Sequence, residues 1–131
     1  MADLKTLFQD ADWKTEKHAP VLEAPDTVKK LEDVRIAVSV GKEIPHPNTT
    51  EHHIRWIEVY FQPKGEKFPC QIGRFEFNAH GESVQGPNTS TLYTQPALAC
   101  SFKTEKSGTL FASSYCNIHG LWESSKELNV I

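Results

Sequence analysis

A cysteine and a histidine three residues apart, in Cys116-Asn117-Ile118-His119-Gly120, form the strongest chemical pattern in the chain. A thiolate and an imidazole at that spacing can reach one ion across a tight turn. Taken alone, the pair is equally compatible with a core cysteine beside a surface histidine, so the remaining histidines carry weight. The chain has six histidines, three of them between His46 and His53. Pro45-His46-Pro47 sets His46 in a loop stiffened by two prolines. His52 and His53 stand at the mouth of the apolar run Ile54 to Phe61. Neighbouring residues entering a strand point to opposite faces, so only one of the two is expected to face the ion that His46 faces. His80, within the turn-rich Asn78-Ala79-His80-Gly81, reads as a hydrogen-bonded structural histidine.

His18, His46, one of the His52-His53 pair, Cys116 and His119 make five candidate donors, one more than a closed tetrahedral zinc site uses. Imidazoles with a single thiolate suit a redox-active first-row ion. Five protein ligands on an octahedral preference leave one position open for a small molecule. Iron fits that description best, and a thiolate opposite the open position would push electron density toward whatever binds there. Electron transfer to a small oxidant is the chemistry such a centre points to. Two rival readings remain at this level. A cupredoxin-like (blue-copper) electron carrier also joins cysteine and histidines in a sandwich, but Met1 is the only methionine and is far from Cys116, so the usual axial ligand is missing. A noncatalytic sandwich module with structural zinc would need only four donors and would leave one histidine unexplained.

Four stretches extend the pattern: Glu16-Lys17-His18-Ala19-Pro20-Val21; Gly41-Lys42-Glu43-Ile44-Pro45-His46-Pro47-Asn48-Thr49-Thr50-Glu51-His52-His53-Ile54; Phe77 to Thr89; and Ser114-Tyr115-Cys116-Asn117-Ile118-His119-Gly120-Leu121-Trp122. Together they resemble the signature blocks of superoxide reductases of the one-iron neelaredoxin class, over nearly the whole chain apart from about the first ten residues. The related desulfoferrodoxins add a cysteine-rich iron domain at the N-terminus, for which this sequence has no cysteines.

The resemblance implies a mononuclear non-haem iron, cycling between Fe2+ and Fe3+, with His18, His46, His52 and His119 in an equatorial plane and Cys116 as the axial thiolate. It selects His52 over His53. The implied activity is one-electron reduction of superoxide to hydrogen peroxide with uptake of two protons, followed by re-reduction from a rubredoxin-type donor. An immunoglobulin-like fold and assembly into a homo-oligomer, a tetramer or dimer, come with it. Glu16 and Lys17 flank His18 on a proline-bounded loop. Lys17 is expected to attract the anion and to order a water or donate a hydrogen bond to the product. Glu16 is expected, by the resemblance, to take the sixth metal position in the oxidised resting form.

These donors lie far apart in sequence, so a framework of strands must gather them. From Val34 onward the chain reads as short β-rich runs: 34–40, 54–61, 72–77, 97–103, 110–115 and 128–131. Turn residues separate them, at Pro45 and Pro47, Pro63-Lys64-Gly65, Gly81, Gly86-Pro87-Asn88 and Lys106-Ser107-Gly108. The expectation is an all-β, immunoglobulin-like antiparallel sandwich of about seven strands. Leu4 to Trp13 can form a helical turn or two, and Thr15 to Asp26, with Pro20 and Pro25, should run extended and wrap the sandwich.

At 131 residues the chain suits one domain spanning 1–131. Fourteen Lys and Arg against 17 Asp and Glu give a net charge of −3, which argues against a nucleic-acid surface. No apolar run approaches the ~20 residues that span a bilayer, and Met1-Ala2-Asp3-Leu4-Lys5 has none of the features of a secretory signal. A cytoplasmic protein with no membrane partner is therefore expected. Three cysteines cannot all pair within the chain, and no CxxC occurs. Cys70 and Cys100 are expected to be small apolar core residues, and Trp13, Trp56 and Trp122 to serve packing, with Trp122 covering the site.

Overall fold

The structure, a computed structural model, describes residues 2–131. Alternation of apolar and polar residues sets the strands. In β3 (Val34–Val40) every second side chain, Val34, Ile36, Val38 and Val40, is buried. β1 (Pro20–Glu23) and β6 (Ala97–Phe102) pair antiparallel with its two edges to make a three-stranded sheet. The facing sheet has five strands in the order β2 (Thr27–Val28), β8 (Gly120–Val130), β7 (Gly108–Cys116), β4 (Ile54–Pro63), β5 (Cys70–Glu76). Val34, Ile36 and Val38 from one sheet meet Ile57, Val59, Phe61, Leu110 and Leu128 from the other in one buried cluster. That is the expected β-sandwich.

Several details differ from the sequence reading. There are eight strands among the described residues, because the stretch expected to wrap the sandwich contributes β1 and the residues just beyond it form β2. β2 runs parallel to β8, whereas the other strand pairs are antiparallel. β8 is also far longer than the apolar run 128–131. Its middle, Glu123 to Glu127, carries polar side chains on a largely open face, so composition hides it, and its pairing with β7 from Gly108↔Leu128 to Cys116↔Gly120 makes it a strand. Leu4–Leu7 forms only a single 3-10 turn with no buried residue. Cys70 is exposed on the outermost strand of its sheet, contrary to expectation, whereas Cys100 is half-buried and packs against the core as expected.

One irregularity matters for the site. Against β7, Ile54 pairs with Cys116 and Trp56 with Tyr115, leaving Arg55 as an extra residue. The bulge resets the alternation, so that Ile54 and Ile57, three apart, both face the core. It lies two residues beyond His53, where β4 leaves the end of the sandwich that also carries the β7–β8 turn.

Candidate metal centre

β7 ends at Cys116 and β8 begins at Gly120, with residues 117–119 turning between them. Gly120 has φ of +82°, a left-handed conformation that glycine adopts without the Cβ clash of other residues. The turn brings the His119 N–H to the Cys116 sulfur at 3.3 Å, a donor that stabilises a thiolate and tunes its donation. Cys116 is fully buried and the ring of His119 is exposed, its Nδ1 3.8 Å from Sγ. The His119 carbonyl accepts from the Trp122 indole N–H at 3.2 Å and from the Gln9 side chain at 3.1 Å. Gln9 is held in place by backbone bonds to Leu121 and Glu123, so the N-terminal segment braces the turn.

His18 enters from that same segment, just ahead of β1. Its Nδ1 lies 2.5 Å from Glu16 Oε1, and Glu16 Oε2 accepts from the backbone N–H groups of His18 and Ala19 at 2.6 and 3.0 Å. Burial works to raise the Glu16 carboxyl, but these bonds outweigh it and hold it below the usual carboxylate range. Trp122, itself buried, stacks on the His18 ring at 4.9 Å with 13° between planes. With Nδ1 committed to a carboxylate, Nε2 of His18 is the free ligand atom, and it lies 3.1 Å from His119 Nδ1.

The loop between β3 and β4 brings the other two histidines. His52 is locked by Thr49, whose Oγ1 accepts from the His52 N–H at 3.0 Å and whose own N–H donates to the His52 carbonyl at 2.9 Å. Nε2 of His52 lies 3.2 Å from His119 Nδ1. His46 is buried, with its ring 4.7 Å from those of both His18 and His52. Its Nδ1 donates to the Pro47 carbonyl at 2.7 Å, and its Nε2 is a buried nitrogen with no hydrogen-bond partner. Loss of hydration lowers the His46 imidazole to about 4, assisted by the neighbouring His18, His52 and Lys17 charges and opposed by the Pro47 bond. Burial, together with the His119, His18 and Lys17 charges, lowers His52 as well. These groups are therefore neutral, with lone pairs available for coordination, near pH 7.

Ligand atoms of His18, His52, Cys116 and His119 all lie within 4.8 Å of one another. The two nitrogen separations, 3.1 and 3.2 Å, are near the ~3 Å expected of adjacent imidazoles bound at ~2.1 Å on a right angle. His46 stands outside that four-atom group but beside it. Its buried Nε2, without a hydrogen-bond partner, suits a ligand atom, since such a nitrogen is costly unless something accepts its lone pair. The donor set therefore fits a metal ion. Lys17 is half-buried, and its charge acts on both His46 and His52. The Glu16 carboxylate lies behind His18, outside the group of converging atoms.

His53 and His80 take the structural roles read from sequence. Their rings stack on each other at 3.5 Å, His53 Nδ1 donates to the Thr49 carbonyl at 3.0 Å, and His80 Nε2 donates to the Phe77 carbonyl at 2.5 Å. Sequence reasoning missed Gln9 and Ser114, whose hydroxyl donates to the His18 carbonyl at 3.3 Å. Neither residue type signals such a role, because the contact is made across more than ninety residues of chain.

Fold and donor group together define a β-sandwich metal-binding protein. A family model described as desulfoferrodoxin matches residues 10–125, and the chain belongs to that family. It is 60% identical over 121 residues to a superoxide reductase of Pyrococcus furiosus, covering 92% of this chain and 95% of the relative. To the neelaredoxin of Megalodesulfovibrio gigas it is 57% identical over 120 residues, 92% of each. The solved structure of superoxide reductase (neelaredoxin) from Archaeoglobus fulgidus in the reduced form superimposes with a TM-score of 0.87 at 62% identity, covering 94% of this chain and 98% of that one.

Proposed function

We propose that this protein is a superoxide reductase whose centre is a mononuclear non-haem iron held by His18, His46, His52, His119 and Cys116. The observation that carries the reading is the convergence of three imidazoles and a buried thiolate beside a fourth imidazole with an orphaned nitrogen, in a chain of the desulfoferrodoxin family. Bound there, iron would supply one electron to superoxide and recover it from a donor protein, so that with two protons each superoxide leaves as hydrogen peroxide. The polypeptide does the rest. Trp122 and Glu16 fix the plane and tautomer of His18, the His119 N–H moderates the Cys116 thiolate, and burial keeps the His46 and His52 imidazoles unprotonated. The Lys17 ammonium draws the anionic substrate toward the exposed His119 edge. Glu16, here held on His18, is the residue proposed to reach the open position in the oxidised form.

A rubredoxin-type protein is the proposed electron donor, a tetramer or dimer the proposed assembly, the cytoplasm the proposed compartment and residues 1–131 the proposed single domain. Among the described residues no helix is long and apolar enough to cross a membrane. Metal analysis with the visible spectrum tests the reading. One iron per chain, and a thiolate-to-iron band that bleaches with reductant and returns with superoxide, is the expected result. Stoichiometric zinc after iron-replete expression, or a copper-dependent blue band, would overturn it in favour of a structural module or an electron carrier.

A further inference from the structure

The β4–β7 ladder ends at the pair Ile54↔Cys116, because β7 turns away after Cys116 and offers no further strand to the segment before Ile54. That segment contains His52. Asn117 takes over the pairing. Its backbone N–H donates to the His53 carbonyl at 3.2 Å. Its side-chain Oδ1 accepts from the His53 N–H at 2.9 Å, and its Nδ2 donates to the Glu51 carbonyl at 2.8 Å. A backbone N–H must meet the oxygen and a carbonyl the nitrogen, so the orientation of the amide is unambiguous. The side chain thus imitates a strand neighbour, one donor and one acceptor, to the two residues that bracket His52.

We infer that Asn117 is a positioning residue, which docks the His52 segment onto the Cys116–His119 turn and sets the spacing between those ligands before any metal arrives. The inference rests on the proposed metal centre. His52 Nε2 and His119 Nδ1 stand 3.2 Å apart although 67 residues separate them, and Asn117 lies within the turn that carries His119. Thr49 fixes the local turn around His52 but belongs to the same loop, so it cannot set the loop's distance from β7. Cys116 and His119 have their own supports in the β7–β8 pairing and in Trp122 and Gln9. Asn117 bonds both carbonyl and N–H groups across the gap, and serine or alanine at this position could not span it with two opposite partners.

The test uses full-length protein loaded with ferrous iron, comparing wild type, Asn117→Ala and Asn117→Asp. The readouts are iron release to a chelator well below the unfolding temperature, the energy of the thiolate band in the oxidised form, and the melting temperature of metal-free protein. Asn117→Ala should release iron about 10-fold faster or more, the lower end of what supporting partners of metal ligands contribute, and should shift the band. Asn117→Asp keeps the acceptor for His53 and loses the donor to Glu51, so its release rate should fall between the two. A residue that served only stability would lower the melting temperature while leaving release from the folded protein and the band unchanged. Release within about twofold of wild type with an unshifted band overturns the inference. Should Asn117→Ala not fold, Asn117→Asp decides by the same criteria. Failure of wild type to take up iron would instead sink the metal-centre reading itself.

Discussion

Replacing His46 by phenylalanine separates two effects that a ligand histidine has on its own protein. In the metal-free state the buried, unpartnered Nε2 costs about 1–3 kcal/mol, against about 0.5–1.5 kcal/mol gained from the Nδ1 bond to Pro47. Phenylalanine keeps a flat ring in the same space and removes both, so the metal-free variant should match wild type near neutral pH or exceed it by up to about 2 kcal/mol. The pH dependence is sharper. Burial lowers the folded imidazole to about 4, while an unfolded histidine titrates near ~6.5. Between those values the unfolded chain binds a proton that the folded chain refuses, so stability rises with pH across this window and drains away as pH falls through it. For a folded value of about 4, the loss from His46 on going from pH 7.5 to pH 5 is about 2 kcal/mol. Urea denaturation of metal-free protein at both pH values should show wild type losing about 2 kcal/mol more than the variant. The loaded variant should bind iron more weakly, with one donor fewer. Equal pH losses in the two proteins, or undiminished iron affinity, would refute the account of His46 as a neutral, metal-directed imidazole.

Lys17→Ala should slow association with superoxide and flatten its dependence on ionic strength, followed by fast mixing or pulse radiolysis; unchanged kinetics at low salt would remove Lys17 from steering. Gly41 has φ of +87°, and a Cβ there would come within 2.6 Å of the His46 backbone nitrogen. Gly41→Ala should cost at least about 1–2 kcal/mol from the left-handed conformation alone and loosen iron by displacing His46, which melting and chelator competition would reveal together. Ile57, wholly buried between the sheets and remote in role from the donors, supplies the contrast. Ile57→Ala should lower stability by about 2–5 kcal/mol with an unshifted thiolate band; a shifted band would show that the core and the centre are coupled.

Much of this molecule is legible in its sequence because the relevant signals are local. Val34, Ile36, Val38 and Val40 alternate with polar neighbours, and alternation alone specifies a strand with one buried face. Cys116 and His119 reach one ion because a turn joins them, and neighbours such as His52 and His53 must diverge at the entrance to a strand. The structure sends one toward the donors and the other onto His80. An all-β sandwich, the pairing of Cys116 with His119 and the proline-stiffened loop around His46 therefore follow from residue types and short spacings, whereas the preference for His52 over His53 comes from the family resemblance.

Other features depend on contacts that no short window contains. β8 is polar along much of its length and is a strand because β7 supplies its hydrogen bonds. Cys70 is exposed because its strand lies at the edge of a sheet, a position decided by strand order rather than by hydropathy. His18 Nε2 meets His119 Nδ1 at 3.1 Å across 101 residues, and the Gln9 bond to the His119 carbonyl spans 110. Residue type and local spacing determine which groups can donate to a metal; only the packing of two sheets and the segments around their end decides which lone pairs face the same point, since that requires bringing remote parts of the chain within a few ångströms at once.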